Sequence, residues 1–341
     1  MQNTENKLAQ FCAVMDIPEF ITPWIDRFFE SAEIEVVLLL APKPLLDSEI
    51  IRQMSHWDDT LRPAVPQDWL TRVYKRGTIN LNNDNHYTPA DFHTRFEMWS
   101  IFEGWKDVPQ HICEQLNHWE MLFYENEHRA QIDGLKKGLT RNPDRIYPEY
   151  ILLDEADALL DRVESIYLWP CNCRAMAKRC DNTVYTCLRF DNDRGLGWEI
   201  SKSRAREIVR DANAKGLMQS AEVIETPEGA IKGGICNCCA DCCYPHQLAL
   251  RASAQKLWPL SRYVARHLEE RCIGCGRCTR RCPFQAVALT KVNNGDLDTP
   301  QTKNRPKQMV RFNAGLCRGC GVCSTGCPAE AIEMQPLNGL L

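Results

Sequence analysis

Long apolar runs are missing from this sequence: the longest near its start, "VVLLLA" at residues 36–41, is far short of the roughly 20 residues that span a bilayer. The opening residues "MQNTENKLAQFCAVMD" show neither a basic-then-apolar leader nor paired arginines, so a cytoplasmic protein without membrane insertion is expected. No G-x-x-x-x-G-K-[ST] run occurs to cradle phosphates, and no G-x-G-x-x-G follows a strand-like segment. This argues against nucleotide hydrolysis and against nicotinamide or flavin binding. A Ser/His/Asp nucleophile arrangement is not recognisable either.

Cysteine, by contrast, is in excess. The 341 residues include 19 of them, an odd number, many in tight C-x-C and C-x-x-C groups. Cytosolic disulfides are rare, so this spacing points to thiolates gathered round metal. The apolar content of 44% supports real cores, and the length allows two or three domains.

Charge is unevenly spread around the net value of −4. Residues 1–150 hold 15 Lys/Arg and 24 Asp/Glu, residues 151–255 hold 13 and 15, and residues 256–341 hold 13 and 6. A basic last segment suits docking to an acidic protein partner; arginines balancing buried thiolate shells would produce the same asymmetry.

The expected fold class is α+β, in three parts: residues 1–145, 146–255 and 256–341. In the first, Thr22-Pro23 reads as a helix start, "SAEIEVVLLLA" as a helix from Ser31 that stops at Pro42, and "LLDSEIIRQM" and "VPQDWLTRVYKRG" as two more. "TINLNNDNHYTP" alternates about an Asn-Asp-Asn turn, a hairpin signal. Helices followed by a hairpin resemble a winged helix, with Trp69, Val73 and Tyr74 facing its core and Arg72, Lys75 and Arg76 facing outward. The acidic balance of this part disfavours nucleic-acid binding and favours a scaffold. In the aromatic helices that follow, His111, His118 and His128 read as packing residues rather than ligands.

The middle part opens strand–helix–strand. Its "DEAD" tetrapeptide, Asp154–Asp157, resembles a helicase box, but without a phosphate loop it reads as acids favoured at a helix start.

The decisive pattern is repeated. Residues 272–283 read "CIGCGRCTRRCP" and residues 317–328 read "CRGCGVCSTGCP", each C-x2-C-x2-C-x3-C-P. This is the spacing of bacterial two-cluster ferredoxins, and it makes an internal repeat. Gly274, Gly276, Gly319 and Gly321 let the loops curl so that amides face the cluster. The runs after each repeat, "FQAVAL" and "AEAIEM", read as short helices. In ferredoxins the fourth cysteine of each run serves the other cluster. The resemblance therefore implies one [4Fe-4S] on Cys272, Cys275, Cys278 and Cys327, and a second on Cys317, Cys320, Cys323 and Cys282. The long insert between repeats reads as an extended hairpin with a basic tip at residues 303–307.

Nine cysteines crowd residues 171–243, ahead of this unit: Cys171, Cys173, Cys180, Cys187, Cys236, Cys238, Cys239, Cys242 and Cys243. "PCNCRAMAKRC" and "ICNCCADCC" together resemble the C-x-C-R and I-C-N-C-C segments found ahead of a two-cluster ferredoxin domain in iron–sulfur proteins of anaerobes. Adjacent residues of extended backbone point to opposite faces, so each doublet, Cys238/Cys239 and Cys242/Cys243, can serve two sites. Two further cubanes, one cluster with spare thiols, one larger non-cubane cluster, or zinc all fit nine thiolates. His246 can replace a thiolate or cap a site, and Cys12 and Cys113 read as small buried hydrophobes.

The function these features imply is single-electron relay through three or four clusters to or from a partner redox enzyme. The chain reads as a subunit rather than a self-contained enzyme. Two alternatives stand beside this: a low-potential reductase with a substrate-binding cluster at residues 171–243, and a cluster-controlled winged-helix regulator. The sequence leaves the oligomeric state open.

Overall fold

The computed structural model describes residues 2–104, 108–143, 145–291 and 308–337. It mixes helix and sheet, α+β, in two compact units: residues 1–109 with 193–196, and residues 110–192 with 197–341.

The first unit runs α1 (Gln2–Val14), a 3-10 turn (Glu19–Trp24), α2 (Ile25–Phe28), α3 (Ser31–Leu40), α4 (Asp47–Met54), α5 (Pro66–Lys75), the antiparallel hairpin β1 (Ile79–Leu81) and β2 (Tyr87–Pro89), and α6 (Phe92–Met98). Pro23 does not open a helix as expected. It lies inside the 3-10 turn, whose i→i+3 bonds tolerate its missing N–H, and α2 begins only at Ile25. On α5, Trp69 and Val73 are buried, Tyr74 is half-buried, and Arg72 and Lys75 are exposed. Two of the three cations at the end of this helix are already matched: Arg72 donates to both Glu30 carboxylate oxygens at 2.6 and 2.8 Å, and Arg76, just past it, reaches Glu30 at 2.8 Å and Glu103 at 3.1 Å.

The second unit opens with α7 (Gln110–Lys136), β3 (Glu149–Tyr150), α8 (Leu153–Arg162), β4 (Tyr167–Pro170), α9 (Asn172–Ala177), β5 (Tyr185–Arg189), β6 (Trp198–Glu199), α10 (Lys202–Ala214), β7 (Met218–Glu225), β8 (Ile231–Cys238) and α11 (Tyr244–Arg251). Six strands form one antiparallel sheet in the order β3-β7-β8-β5-β4-β6. Helices α8 and α10 bury Ala156, Leu160, Ala205 and Val209 against Leu188, Ala221 and Ile235, which share one sheet face. By alternation the neighbours Cys187, Ser220 and Cys236 turn to the other face. The acids of the "DEAD" run serve structure: Glu155 accepts from the Leu152 amide at 2.8 Å and from Arg262 at 2.6 Å, and Asp157 pairs with Arg210. Helix α7, which the sequence reading assigns to residues 1–145, packs on α9 and α11, with Tyr124 6.2 Å from Tyr244 and His128 5.0 Å from Trp258.

The chain continues with β9 (Tyr263–His267), α12 (Arg277–Arg281), β10 (Val287–Lys291), β11 (Gln308–Phe312), α13 (Val322–Thr325) and β12 (Ile332–Pro336). Strand β9 pairs with β12, and β10 with β11. The runs expected as short helices after each cysteine repeat are thus strands. The Ala286 and Ala331 amides donate to Cys282 and Cys327 Sγ at 3.3 Å each, which starts both segments extended, and each meets a strand edge ready to pair. The expected basic hairpin tip lies outside the described residues.

Candidate metal centres

The two ferredoxin-like loops are shaped by left-handed glycines. At Gly319, φ is +71°, and a Cβ would collide with the Tyr263 carbonyl oxygen. The curl turns the Gly319 amide to Cys317 Sγ at 3.4 Å, while the Ala265 amide approaches the same sulfur at 3.5 Å. One cavity is lined by Cys272, Cys275, Cys278 and Cys327, and another by Cys282, Cys317, Cys320 and Cys323. The fourth cysteine of each repeat therefore stands with the first three of the other, the crossed arrangement a pair of cubanes needs. Burial raises the Cys320 thiol, and raises that of Cys323 to about 12, so thiolates here need the charge of bound metal. His267 also lines the first cavity, and its Nε2 is buried with no hydrogen-bond partner among the described residues. Sequence reading passed it over, because it precedes the motif and no local spacing ties it to the cysteines.

The nine middle cysteines divide. Cys171, Cys173, Cys187, Cys236, Cys238 and Cys243 form a continuous chain of contacts, running Cys173–Cys171–Cys187–Cys236–Cys238–Cys243. Cys180, Cys239 and Cys242 form a separate trio, with Cys180 Sγ 3.6 Å from Cys239 Sγ and 3.8 Å from Cys242 Sγ. Both doublets split between the two groups. Cys238 and Cys243 pack with Tyr150, Met218 and Cys320, whereas Cys239 and Cys242 pack with Ala212 and Leu217.

A ladder of buried amides fixes this division. Asn237 donates from Nδ2 to the Thr186 carbonyl at 2.7 Å and accepts from Gln219 Nε2 at 2.9 Å; Gln219 Oε1 accepts from Asn213 at 2.7 Å. With Asn237 held to one side of β8, Cys236 and Cys238 take the other. Asn213 ties in the last part of the chain as well, since Arg281 donates to its carbonyl at 2.8 Å and Thr325 Oγ1 to its side-chain oxygen at 2.6 Å.

Arg174, the arginine of C-x-C-R, lies between the two groups and is 2% exposed. It donates to the Thr183 carbonyl at 2.6 Å, Thr186 Oγ1 at 3.0 Å and the Asn237 carbonyl at 2.9 Å. Burial works against its charge, but thiolates of Cys171, Cys239 and Cys187 raise its pKa above the ordinary value. Burial and the negative charge of Cys236 likewise raise the Glu222 carboxyl to about 8.

Tyr150 links the six-cysteine wall to the ferredoxin-like part. It is 1% exposed, packs with Cys238, Cys243 and Cys320, and its hydroxyl has no hydrogen-bond partner among the described residues. Its pKa is raised by burial and then by the charges of Cys243, Cys238 and Cys320. His246 does not join the trio. It packs on Phe284 at 5.3 Å, and burial followed by the Arg318 charge lowers its pKa. The Cys12 and Cys113 thiols are raised chiefly by burial.

No helix among the described residues is long and apolar enough to cross a membrane. No curated protein matches the chain. Residues 271–331 match the family model of the 4Fe-4S dicluster domain, so the chain is an iron–sulfur protein of electron-transfer type whose ferredoxin-type part takes two [4Fe-4S] clusters.

Proposed function

We propose that the protein relays single electrons between a donor and a partner redox enzyme through at least three clusters in a row. In this reading Cys272, Cys275, Cys278 and Cys327 hold the outer cubane, Cys317, Cys320, Cys323 and Cys282 the next, and the six-cysteine wall a third cluster. The observation that carries it is the contiguity at Tyr150, where Cys320 of one site and Cys238 and Cys243 of another share one buried cluster. Sites packed this closely transfer electrons without a mobile carrier. The basic C-terminal segment is the exchange port, facing an acidic protein partner, and the winged-helix-like first unit is a scaffold. The ion pairs of Arg72 and Arg76 support scaffold over DNA reader, because those cations are spent on Glu30 and Glu103. Reductive titration followed by EPR tests the relay. Three interacting low-potential signals and about 12 iron atoms per chain are expected, at four per cubane. About 8 iron atoms and no coupling beyond the dicluster pair would reduce the protein to a ferredoxin with a cysteine-rich appendage.

One observation favours the reductase reading as well. A cavity of about 590 Å³ is lined by Tyr244, Met176, His118, Lys178, Arg179 and Arg251, and the Tyr244 amide donates to Cys173 Sγ at 3.5 Å. Lys178, Arg179 and Arg251, the last paired with Glu125, outnumber the one lining carboxylate, Glu114, so the chamber suits a small anionic substrate. An anion that perturbs the third cluster's EPR signal, and not the other two, would favour catalysis there.

A further inference from the structure

Six of the nine middle thiols line the wall that continues into the ferredoxin-type part; the remaining three have a different geometry. Cys180 Sγ stands 3.6 Å from Cys239 Sγ and 3.8 Å from Cys242 Sγ, and all three sulfurs lie within 4.8 Å of one another. A cubane holds its cysteines on four separate irons, which spreads the sulfurs to roughly 6 Å. A single tetrahedral ion with bonds of about 2.3 Å puts its thiolate sulfurs about 3.8 Å apart. The trio has the second spacing. Among the described residues it is the only set of three or more Cys, His, Asp or Glu ligand atoms gathered this closely.

The surroundings match a bound ion. Each sulfur has at least one N–H against it: Asn182 Nδ2 donates to Cys180 at 3.4 Å, the Cys242 amide and the Arg174 guanidinium lie against Cys239, and the Arg179 amide against Cys242. Such outer bonds orient thiolate ligands and spread their charge. Cys239 and Cys242 stand in C-x2-C spacing directly after β8, the knuckle that presents two sulfurs to one ion. Arg174 supplies positive charge beside Cys239, suited to three thiolates that outweigh a divalent cation. Among the described residues no fourth His, Cys, Asp or Glu ligand atom lies within 4.8 Å of all three sulfurs. Cys239 borders a cavity of about 300 Å³, also lined by Asn182, Lys215, Asp241, Arg280 and Arg281.

We infer that Cys180, Cys239 and Cys242 bind one thiophilic divalent cation, zinc or ferrous iron, as a mononuclear tetrahedral site whose fourth ligand is exchangeable and enters from this cavity. Binding needs no electron donor: the thiols lose protons to solvent and the cation takes three sulfurs. The site is independent of the relay proposed above and stands or falls separately from it.

The test is element and sulfide counting on anaerobically purified full-length protein, grown with zinc, as wild type and as Cys180→Ser and Cys242→Ser variants. Each variant is expected to lose about one zinc or one iron atom per chain with acid-labile sulfide unchanged, since a mononuclear site carries no sulfide. The wild type needs no variant: if zinc is present, its X-ray absorption is expected to show three sulfurs at about 2.3 Å and one lighter donor. If mononuclear iron is present, a ferric rubredoxin-like EPR signal should appear on oxidation and vanish in both variants. Loss of iron and sulfide together in either variant overturns the inference, because the trio would then ligate a cluster. Wild type with neither zinc nor mononuclear iron, or with a Cys239–Cys242 disulfide, also overturns it. An unperturbed relay beside an empty trio would sink this site alone; a loaded trio beside missing third-cluster signals would sink the relay alone.

Discussion

Cys238 and Cys239 are adjacent in the chain yet belong to different buried clusters: Cys238 packs with Tyr150, Cys243 and Cys320, and Cys239 with Cys242, Ala212 and Leu217. Strand β8 ends at Cys238, so its pleat sets Cys238 beside Cys236, and the turn that follows sends Cys239 the other way.

Substituting Cys238 is therefore expected to damage a cluster. Cys238→Ser should lower iron and sulfide together, by up to about four of each per chain, and abolish magnetic coupling between the third cluster and the dicluster pair. Iron and sulfide analysis with EPR of the reduced protein checks this. Retention of both, with unaltered coupling, would show that Cys238 is not a ligand.

Tyr150 separates packing from electronics. Its ring fills the junction, so Tyr150→Ala should cost about 3–5 kcal/mol of stability, as large-to-small core changes do. Tyr150→Phe should change stability by less than about 1 kcal/mol, because the hydroxyl it removes has no hydrogen-bond partner among the described residues. If that hydroxyl donates to a cluster sulfur, its removal lowers the midpoint potential of that cluster, since a lost hydrogen bond disfavours the reduced, more negative state. Denaturation curves and a redox titration of the two variants separate these effects.

Much of this was legible in the sequence, and the reasons for the gaps are physical. The two C-x2-C-x2-C-x3-C-P runs carry their geometry locally, in glycines and spacing, and helices α3 to α5 with their hairpin follow from helix start and stop signals, proline and the Asn-Asp-Asn turn. The strands after each run read as helices because "AVAL" and "AIEM" are short and apolar, and what decides them is nonlocal: β12 pairs with β9, which lies before the first motif. Alternation let each doublet serve two sites; the division of their packing follows the end of β8 and the turn after it rather than extended backbone. Alternation could not anticipate which group Cys180 would join, because Cys180 is carried off by the turn after α9, where Lys178 has a φ of +48°. Arg174 was visible only as a letter in a motif; its role as a buried cation between the thiolate groups emerges once β5, β8 and α9 meet.

Gly319 gives a local test of the ferredoxin-type loop. Gly319→Ala places a methyl group against the Tyr263 carbonyl in a left-handed conformation. The expected cost is about 2–4 kcal/mol, from strain plus backbone displacement. Cluster occupancy should fall selectively on the Cys317, Cys320, Cys323 and Cys282 site. Gly134→Ala in α7, where the nearest atom to a Cβ is a Leu139 methyl at 3.5 Å, should be neutral or stabilising.

In the first unit, Glu33 predicts a pH dependence. Its side chain is fully buried, accepting from Thr78 Oγ1 at 3.1 Å and the Glu30 amide at 2.8 Å. Burial raises its pKa, outweighing the opposing effect of Arg76. The folded state therefore holds the proton more tightly than the unfolded state, whose value is about 4.3. Stability from this group is full below that value and is lost as pH rises through the folded pKa. Glu33→Gln should flatten the stability profile in that interval, measured by denaturant midpoints across pH. An unchanged slope would mean that the carboxyl is ionised in the folded protein throughout.

Arg174 carries the strongest prediction because its bonds and its charge can be removed separately. Arg174→Met keeps most of the volume but leaves the Thr183 and Asn237 carbonyls and Thr186 Oγ1 without their donor, and leaves nearby thiolates without a cation. Lost bonds to buried acceptors and an unbalanced buried charge place the cost at about 3–5 kcal/mol. Arg174→Lys restores the charge but not the fork that reaches Thr183 and Asn237 at once, so it should recover metal and iron content more than stability. The Asn237 carbonyl also fixes the strand between Cys236 and Cys238, so the Met variant should lose metal from the trio and iron from the six-cysteine wall together, while the dicluster signals persist. If instead only stability falls and every metal count is kept, the arginine is a packing residue and the thiolates draw their balancing charge from the bound metals alone.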